Sequence, residues 1–229
     1  VFEDTANRCK TDPKLNASLK KSIQNQKLYP EDALLPDISL ARYDIPAAIR
    51  VSGRRTFEAA AAYRGTRTAV HNFASASNPG GGVERGANAQ EECLCRCSGL
   101  YFCLNTKAML DGFYTPHRNA HDPLHNDDII YTPEVTVFKT DTADPEIMPE
   151  ADWYNVDVIT CAAPNLRVVP GNRYNSGDGK TAAAISGTAL RQLHEKRLRR
   201  ILDVAVLNGN EAVILGAFGC GVFLNDPEV

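Results

Sequence analysis

What the sequence lacks narrows its class first. No apolar run approaches the ~18 residues that a membrane-spanning helix needs. The polar, charged start (VFEDTANRCK) holds no apolar core of a secretory signal. Basic charge is not in excess: 25 Lys and Arg stand against 28 Asp and Glu, a formal net charge of −3. A surface that grips nucleic acid through its own charge is therefore not expected. The seven cysteines are odd in number, and Cys93, Cys95 and Cys97 fall at alternate positions. This argues against a disulfide framework and for reduced thiols in a cytoplasmic protein. Internal repeats and low-complexity segments are missing too.

What remains is an ordinary globular composition of 229 residues, 43% hydrophobic and 23% charged, enough for one large domain with a substantial core. The chain starts at Val1 rather than Met and ends at Val229 just after a glycine-rich turn, so part of the native protein is expected to lie outside it.

The first forty residues are polar and helix-tolerant, broken by Pro30 and Pro36. A helix is expected over 56–63. The segments 66–74 (TRTAVHNFA), 134–139 (EVTVFK) and 155–161 (NVDVITC) read as strands. Residues 87–105 read as a helix, with Leu94, Cys97, Leu100, Tyr101 and Leu104 on one face. A long amphipathic helix is expected over 189–208, with Leu190, Leu193, Leu198, Ile201, Leu202 and Ala205 inward and Gly209 as its stop. The apolar run 212–218 (AVILGAF) reads as a central strand covered on both faces. Alternating strands and helices indicate an α/β sheet with a parallel centre, whose ligands sit beyond the carboxyl ends of the strands.

Two glycine-rich loops follow such strands. Gly80, Gly81 and Gly82 stand between a strand and a helix, where backbone without Cβ atoms can approach an anion closely. A lone triple glycine is equally a tight turn with no ligand. The second loop, Gly219, Cys220 and Gly221 followed by Val222 and Phe223, shifts the balance, because two such loops at one sheet edge can clamp a diphosphate. Neither loop is a Walker A motif or a G-x-G-x-x-G fingerprint. Phe223 reads either as a base-stacking ring or as core.

Glu91 and Glu92 fall in the first turn of the helix. Acids there stabilise a helix by roughly 0.3–1 kcal/mol, which is a sufficient structural reason for them. Adjacent helical residues point about 100° apart, so the two carboxylates are not expected to face each other as an acid/base pair. They can instead do different jobs on one ligand. A neighbouring diphosphate and burial would raise a pKa towards the range of a general acid.

Other signals carry less. Cys93 and Cys95 would point about 200° apart on a helix, so a metal site is not expected there. His117, His121 and His125 are spaced four apart, but Pro116, Pro123 and the Asn and Asp residues around them indicate a loop. The basic run RQLHEKRLRR reads as the solvated face of a core helix. The segment PGNRYNSGDGK reads as a mobile polar loop that could line a cleft.

The ordered set GGG, a seven-residue spacer VERGANA and then Gln90-Glu91-Glu92 resembles the bacterial-type poly(ADP-ribose) glycohydrolases, whose domain is a modified macrodomain. The stretches NFASASNPGGG, IIYTPEVTVFK, ITCAAPN and GAFGCGVFLNDP extend the resemblance over residues 66–226. It implies an α/β/α sandwich around a mixed, centrally parallel sheet, formed by a single domain over 1–229 with residues 1–60 as an N-terminal helical extension. It also implies that the family's later C-terminal segment is not in the chain. It implies ADP-ribose bound across the strand ends, with Glu92 as catalytic acid/base and Glu91 positioning the ribose hydroxyls. Gln90 would support the loop, and Asn78 would bind the distal ribose. Gly80, Gly81 and Gly82 would approach the diphosphate and ribose. Gly219, Cys220, Gly221 and Val222 would hold the diphosphate from the other side, and Phe223 would stack near the adenine or distal ribose. The implied reaction is hydrolysis of ribose–ribose O-glycosidic bonds in poly(ADP-ribose), with ADP-ribose as product and no metal or cofactor. ADP-ribosylated protein is an alternative substrate, and a non-catalytic ADP-ribose reader is the reading from another class. A monomer is expected, with no nucleic acid or membrane as partner.

Overall fold

Asp12 and Pro13 separate the first two helices. Proline suits the first position of a helix, and the Asp12 carboxylate accepts the exposed N–H groups of Lys14 (2.9 Å) and Leu15 (3.1 Å). In this computed structural model, which describes residues 1–38 and 44–229, the result is α1 (Phe2–Thr11) and α2 (Pro13–Gln24), followed by a short strand β1 (Lys27–Tyr29). The N-terminal stretch expected to be a helical extension therefore also supplies a strand. Positions 39–43 of that stretch lie outside the described residues.

The remaining elements are α3 (Thr56–Ala60), β2 (Thr68–Phe73), α4 (Gln90–Cys97), α5 (Leu100–Leu104), α6 (Lys107–Met109) and α7 (Thr115–Ala120). Then come β3 (Ile129–Val137), β4 (Tyr154–Cys161), α8 (Gly187–Leu207) and β5 (Ala212–Ile214). The sheet order is β1-β3-β4-β2-β5. β2 runs parallel to β4 and β5, while β3 is antiparallel to β1 and β4. Period-two alternation divides the strands between two faces. Val70, Ile130 and Val158 pack with Leu94, Leu100 and Leu104 on one face. Ala69, Tyr131 and Ile159 pack with Ile201, Val204 and Ala205 of α8 on the other. This is the expected mixed α/β sandwich, with helices on both faces and the parallel pair β2–β4 inside.

Four details differ from the sequence expectation. The helix expected over 87–105 starts at Gln90 and breaks at Ser98, which adopts extended backbone and bridges Val137. The Ser98 hydroxyl donates to Leu94 O (2.8 Å) and accepts from Leu100 N–H (3.3 Å), ending one helix and opening the next. The strand expected from 134 begins at Ile129 instead, because a bulge between Thr132 and Val135 absorbs Pro133 and a positive-φ Glu134. The run 212–218 contributes only three residues of strand, half-buried at the sheet edge rather than central. Its apolar character follows from packing on α3 and α8 (Ile214 on one face, Val213 on the other).

The fourth difference concerns α8. Leu202 is 42% exposed, whereas Arg197, in the run expected to be solvated, is 1% exposed. Its Nε donates to Asp127 Oδ1 (2.7 Å) and its Nη1 to Ala162 O (2.7 Å). Burial works against the Asp127 charge, but Lys196 (2.7 Å) and Arg197 outweigh it and hold the carboxyl below its usual range. Arg197 thus ties α8 to the end of β4 and to the loop before β3.

Removing one partner of a buried pair strands the other, so Arg197→Ala should cost about 3 kcal/mol of unfolding free energy in urea titration, the low end of the usual range because Lys196 remains. The exposed pair Arg191–Glu195 should cost below ~0.5 kcal/mol when Arg191 is truncated. A second prediction concerns His71 on β2, buried between Phe73 and Phe218 with no hydrogen-bond partner for either ring nitrogen. Burial, assisted by the Arg197 charge, pushes it from 6.5 to about 3. The folded state then keeps it neutral while the unfolded chain protonates below 6.5. Stability contributed above that pH is lost as pH falls towards 3. Between pH 7 and 5, wild type should lose about 2 kcal/mol more than His71→Leu.

Candidate active site

The end of β2 and the start of α4 are fastened together by one side chain. Gln90, the first residue of α4, accepts the Phe73 N–H (2.9 Å) and donates to His71 O (2.7 Å) and to Thr56 Oγ1 of α3 (3.1 Å). That places the next two residues beneath the glycine loop. Glu91 accepts from Ser75 N–H (2.8 Å) and from Asn72 Nδ2 (3.2 Å). Glu92 accepts from Gly82 N–H and from Ala89 N–H, both at 2.9 Å. The Ala89 bond is the carboxylate half of a capping box.

Both acids are buried, 3% and 6% exposed, and among the described residues neither forms an ion pair. They do not diverge as their positions on the helix suggested. Gly81, at φ +59°, lies against both: a Cβ there would sit 2.3 Å from Glu92 Oε1 and 3.2 Å from Glu91 Oε2. Side-chain torsions bring together what the Cα–Cβ vectors separate. Gly82 is constrained from the other side, since a Cβ would lie 2.3 Å from the Tyr174 ring. Burial first, then the Glu92 charge, pushes Glu91 from 4.5 to about 8, against the hydrogen bonds from Ser75 and Asn72.

Asn78 lies beside the glycine loop, its backbone O accepting from Gly81 N–H (2.9 Å) and its side-chain amide donating to Tyr174 O. Tyr174 belongs to the segment expected to be mobile, yet that segment is anchored. Ser75 Oγ donates to Tyr174 O and to Asn175 Oδ1, both at 3.0 Å, and Asn165 Nδ2 donates to Asp178 Oδ2 (2.7 Å). The second glycine loop follows β5, the parallel neighbour of β2, so both loops open at the same sheet edge. Asn225 holds it, its Nδ2 donating to Gly219 O (3.0 Å) and Pro164 O (2.7 Å) and its Oδ1 accepting from His194 Nε2 (2.9 Å). Gly221 and Val222 are exposed and Cys220 is half-buried. Phe223 is half-buried on the core under α8, its ring 5.9 Å from His125, which is largely the core role.

The weaker signals resolve separately. All seven cysteines are free. Cys95 and Cys97 are buried, which pushes both thiols up, Cys97 to about 12. His117 lies in α7 rather than in a loop, while His121 and His125 take left-handed backbone beyond it. Among the described residues no group of His, Cys, Asp or Glu is arranged to hold a metal, and no helix is long and apolar enough to cross a membrane. A cavity of about 900 Å³ lies at the opposite sheet edge, lined by Arg64, Arg67, Glu150, Trp153 and Asp157. Its arginines face acids, Arg67 on Asp157 (3.0 Å) and Arg64 near Asp152 (3.7 Å), which leaves little charge for a phosphate.

Three residues of the site escaped the sequence reading. Asn72 is a polar residue on the strand face that otherwise packs on α4, and that interruption of an apolar face was its available signal. Ser75 and Tyr174 meet across 99 positions of sequence, which no local pattern encodes.

A family model described as the microbial-type PARG catalytic domain matches residues 4–140. No curated protein matches the chain. Among solved structures, poly(ADP-ribose) glycohydrolase from Thermomonospora curvata is similar at a TM-score of 0.79 and 30% identity, covering 99% of this chain and 81% of that one. The same enzyme bound to the inhibitor ADP-HPD is similar at 0.73 and 28%, with coverage of 99% and 80%. Poly(ADP-ribose) glycohydrolase from Deinococcus radiodurans in complex with ADP-ribose is similar at 0.72 and 32%, with coverage of 91% and 79%. With the matched model covering more than half its length, the chain belongs to the family of the microbial-type PARG catalytic domain.

Proposed function

We propose that the chain hydrolyses ribose–ribose O-glycosidic bonds of poly(ADP-ribose) and releases ADP-ribose, as a macrodomain-type glycosidase. The observation that carries this is the buried carboxylate pair against Gly81, at the sheet edge where both glycine loops open, in a chain of this family. A module that only bound ADP-ribose would gain nothing from burying two acids without a cation, since an unneutralised buried charge costs several kcal/mol.

In this reading Glu92 is the acid/base and Glu91 holds the ribose hydroxyls. Gly80, Gly81 and Gly82 approach the ribose-diphosphate on one side. Gly219, Cys220, Gly221 and Val222 do so on the other. Asn78 meets the distal ribose, and Phe223 flanks the adenosine end from its half-buried seat. A proton passes to the departing ribose hydroxyl as the C–O bond breaks, leaving an oxocarbenium-like ribose. The same carboxylate then takes a proton from water as it attacks. Burial, then the Glu92 charge, keep a proton on Glu91 near neutral pH, which leaves that side chain able to donate to the ribose hydroxyls it holds. The seven free thiols support a cytoplasmic protein. We take it to act as a monomer, without cofactor, metal or direct nucleic-acid contact.

Glu92→Gln should reduce release of ADP-ribose from labelled polymer by about 10²-fold or more, while calorimetry still detects ADP-ribose binding. Near-normal turnover would end the assignment. Gly81→Ala should also lose at least ~10-fold in turnover, because its Cβ displaces the Glu92 carboxylate and its backbone is held left-handed. Because the Glu91 proton is lost as pH rises through about 8, and with it the donor to the ribose it holds, kcat/KM should fall above that value. A flat profile from pH 7 to 10 would exclude a role for protonated Glu91 in turnover.

A further inference from the structure

Beside the acid pair, Tyr174 lies with two arginines that no ion pair explains. Its ring packs on Gly82, the residue whose N–H is bonded to Glu92 Oε1. The Arg173 guanidinium lies over the ring at 4.6 Å from its centroid, and that of Arg85 at 5.9 Å. Arg85 Nη1 also donates to Arg173 O (2.8 Å). Both arginines are exposed, and among the described residues neither is in an ion pair. In a chain of net charge −3, two unneutralised guanidinium groups next to two buried carboxylates are suited to a polyanion.

The loop is held by other groups. Tyr174 O accepts from Ser75 Oγ, Asn175 Oδ1 accepts from the same hydroxyl, and Asn172 Oδ1 accepts from Tyr174 N–H (2.7 Å). The backbone therefore fixes the position, and the half-buried Tyr174 side chain is free for another role.

Resting on the function proposed above, we propose that Tyr174, Arg85 and Arg173 form a subsite for the adenosine diphosphate of the polymer unit that departs. The oxygen protonated beside Glu92 belongs to a ribose of that unit, which carries an adenine and, through its 5′ carbon, a diphosphate. A phenol ring and planar guanidinium groups stack on a purine, and guanidinium groups pair with phosphate oxygens. The subsite begins at Gly82, whose N–H is bonded to the acid, within reach of a unit departing from it. ADP-ribose itself has no such unit to place there. The subsite therefore distinguishes polymer from monomer and favours binding of chains over rebinding of product.

The test compares two ligands on one protein. In the Glu92→Gln background, which prevents turnover, calorimetry measures affinity for ADP-ribose and for a two-unit oligomer. Arg85→Ala with Arg173→Ala should leave the ADP-ribose Kd within about twofold and weaken the oligomer about 10-fold, the lower part of the range for one stacked base, and Tyr174→Ala should weaken the oligomer by more than it weakens ADP-ribose. Tyr174→Phe should keep oligomer affinity. The double arginine variant should also flatten the salt dependence of oligomer binding. It changes only exposed side chains, so it reports independently of any packing loss at Gly82. Equal weakening of both ligands would overturn the subsite, making Tyr174 only a wall behind Gly82, and so would no change in either. Failure of the Glu92→Gln parent to bind ADP-ribose at all would instead overturn the functional proposal, and the subsite with it.

Discussion

Two adjacent acids are buried here with no ion pair among the described residues, and the architecture around them follows from that constraint. A buried charge is tolerable only where hydrogen bonds replace water. Those bonds come from three separate segments: Ser75 just beyond the end of β2, Gly82 in the glycine loop, and Ala89 at the start of α4. Supplying them fixes the strand end, the loop and the helix relative to one another. Gln90 repeats the link from helix to strand through the backbone of Phe73 and His71. Gly81 follows as a steric consequence, because no other residue leaves room for both acids. The carboxylates remain poorly solvated even so, and the residual cost appears as the raised pKa of Glu91.

A buried cation on the far side of the sheet frames this arrangement. Arg197 lies under the opposite sheet face and reaches Asp127, Ala162 and Leu124. It thereby connects α8 to the same carboxyl-end edge of the sheet that carries the acids. These two buried charge systems are handled differently. The cation is matched by a carboxylate and carbonyls, which makes it structural. Among the described residues the acids accept from neutral donors, which leaves a proton on Glu91 open to exchange and suits the site to chemistry.

Much of the organisation was legible in the chain. Period-two and period-3.6 patterns located β2, β4 and α8 to within a few residues. They missed where the pattern was interrupted for reasons outside the segment. Ser98 ends α4 because Val137, 39 residues further on, takes its backbone into a bridge. β1 is too short and too polar to register until β3 offers it a partner. The run after residue 211 looked central because it is apolar, but apolar character reports burial by any neighbour, and here α3 and α8 supply it at an edge.

At the candidate site, the sequence by itself determined that a triple glycine and Gln90-Glu91-Glu92 are separated by seven residues between a strand and a helix, on a chain with a second glycine-rich loop after a later strand. Residue identity and spacing along one segment are local properties, and local periodicity carries them. Only the tertiary structure decided that Glu91 and Glu92 converge on one glycine, that Asn72 and Ser75 support them, and that Tyr174 closes over Gly82 from a loop about ninety residues away. Those outcomes depend on side-chain torsions and on which distant backbone groups remain unsatisfied after packing. Neither is written in the spacing of any one segment.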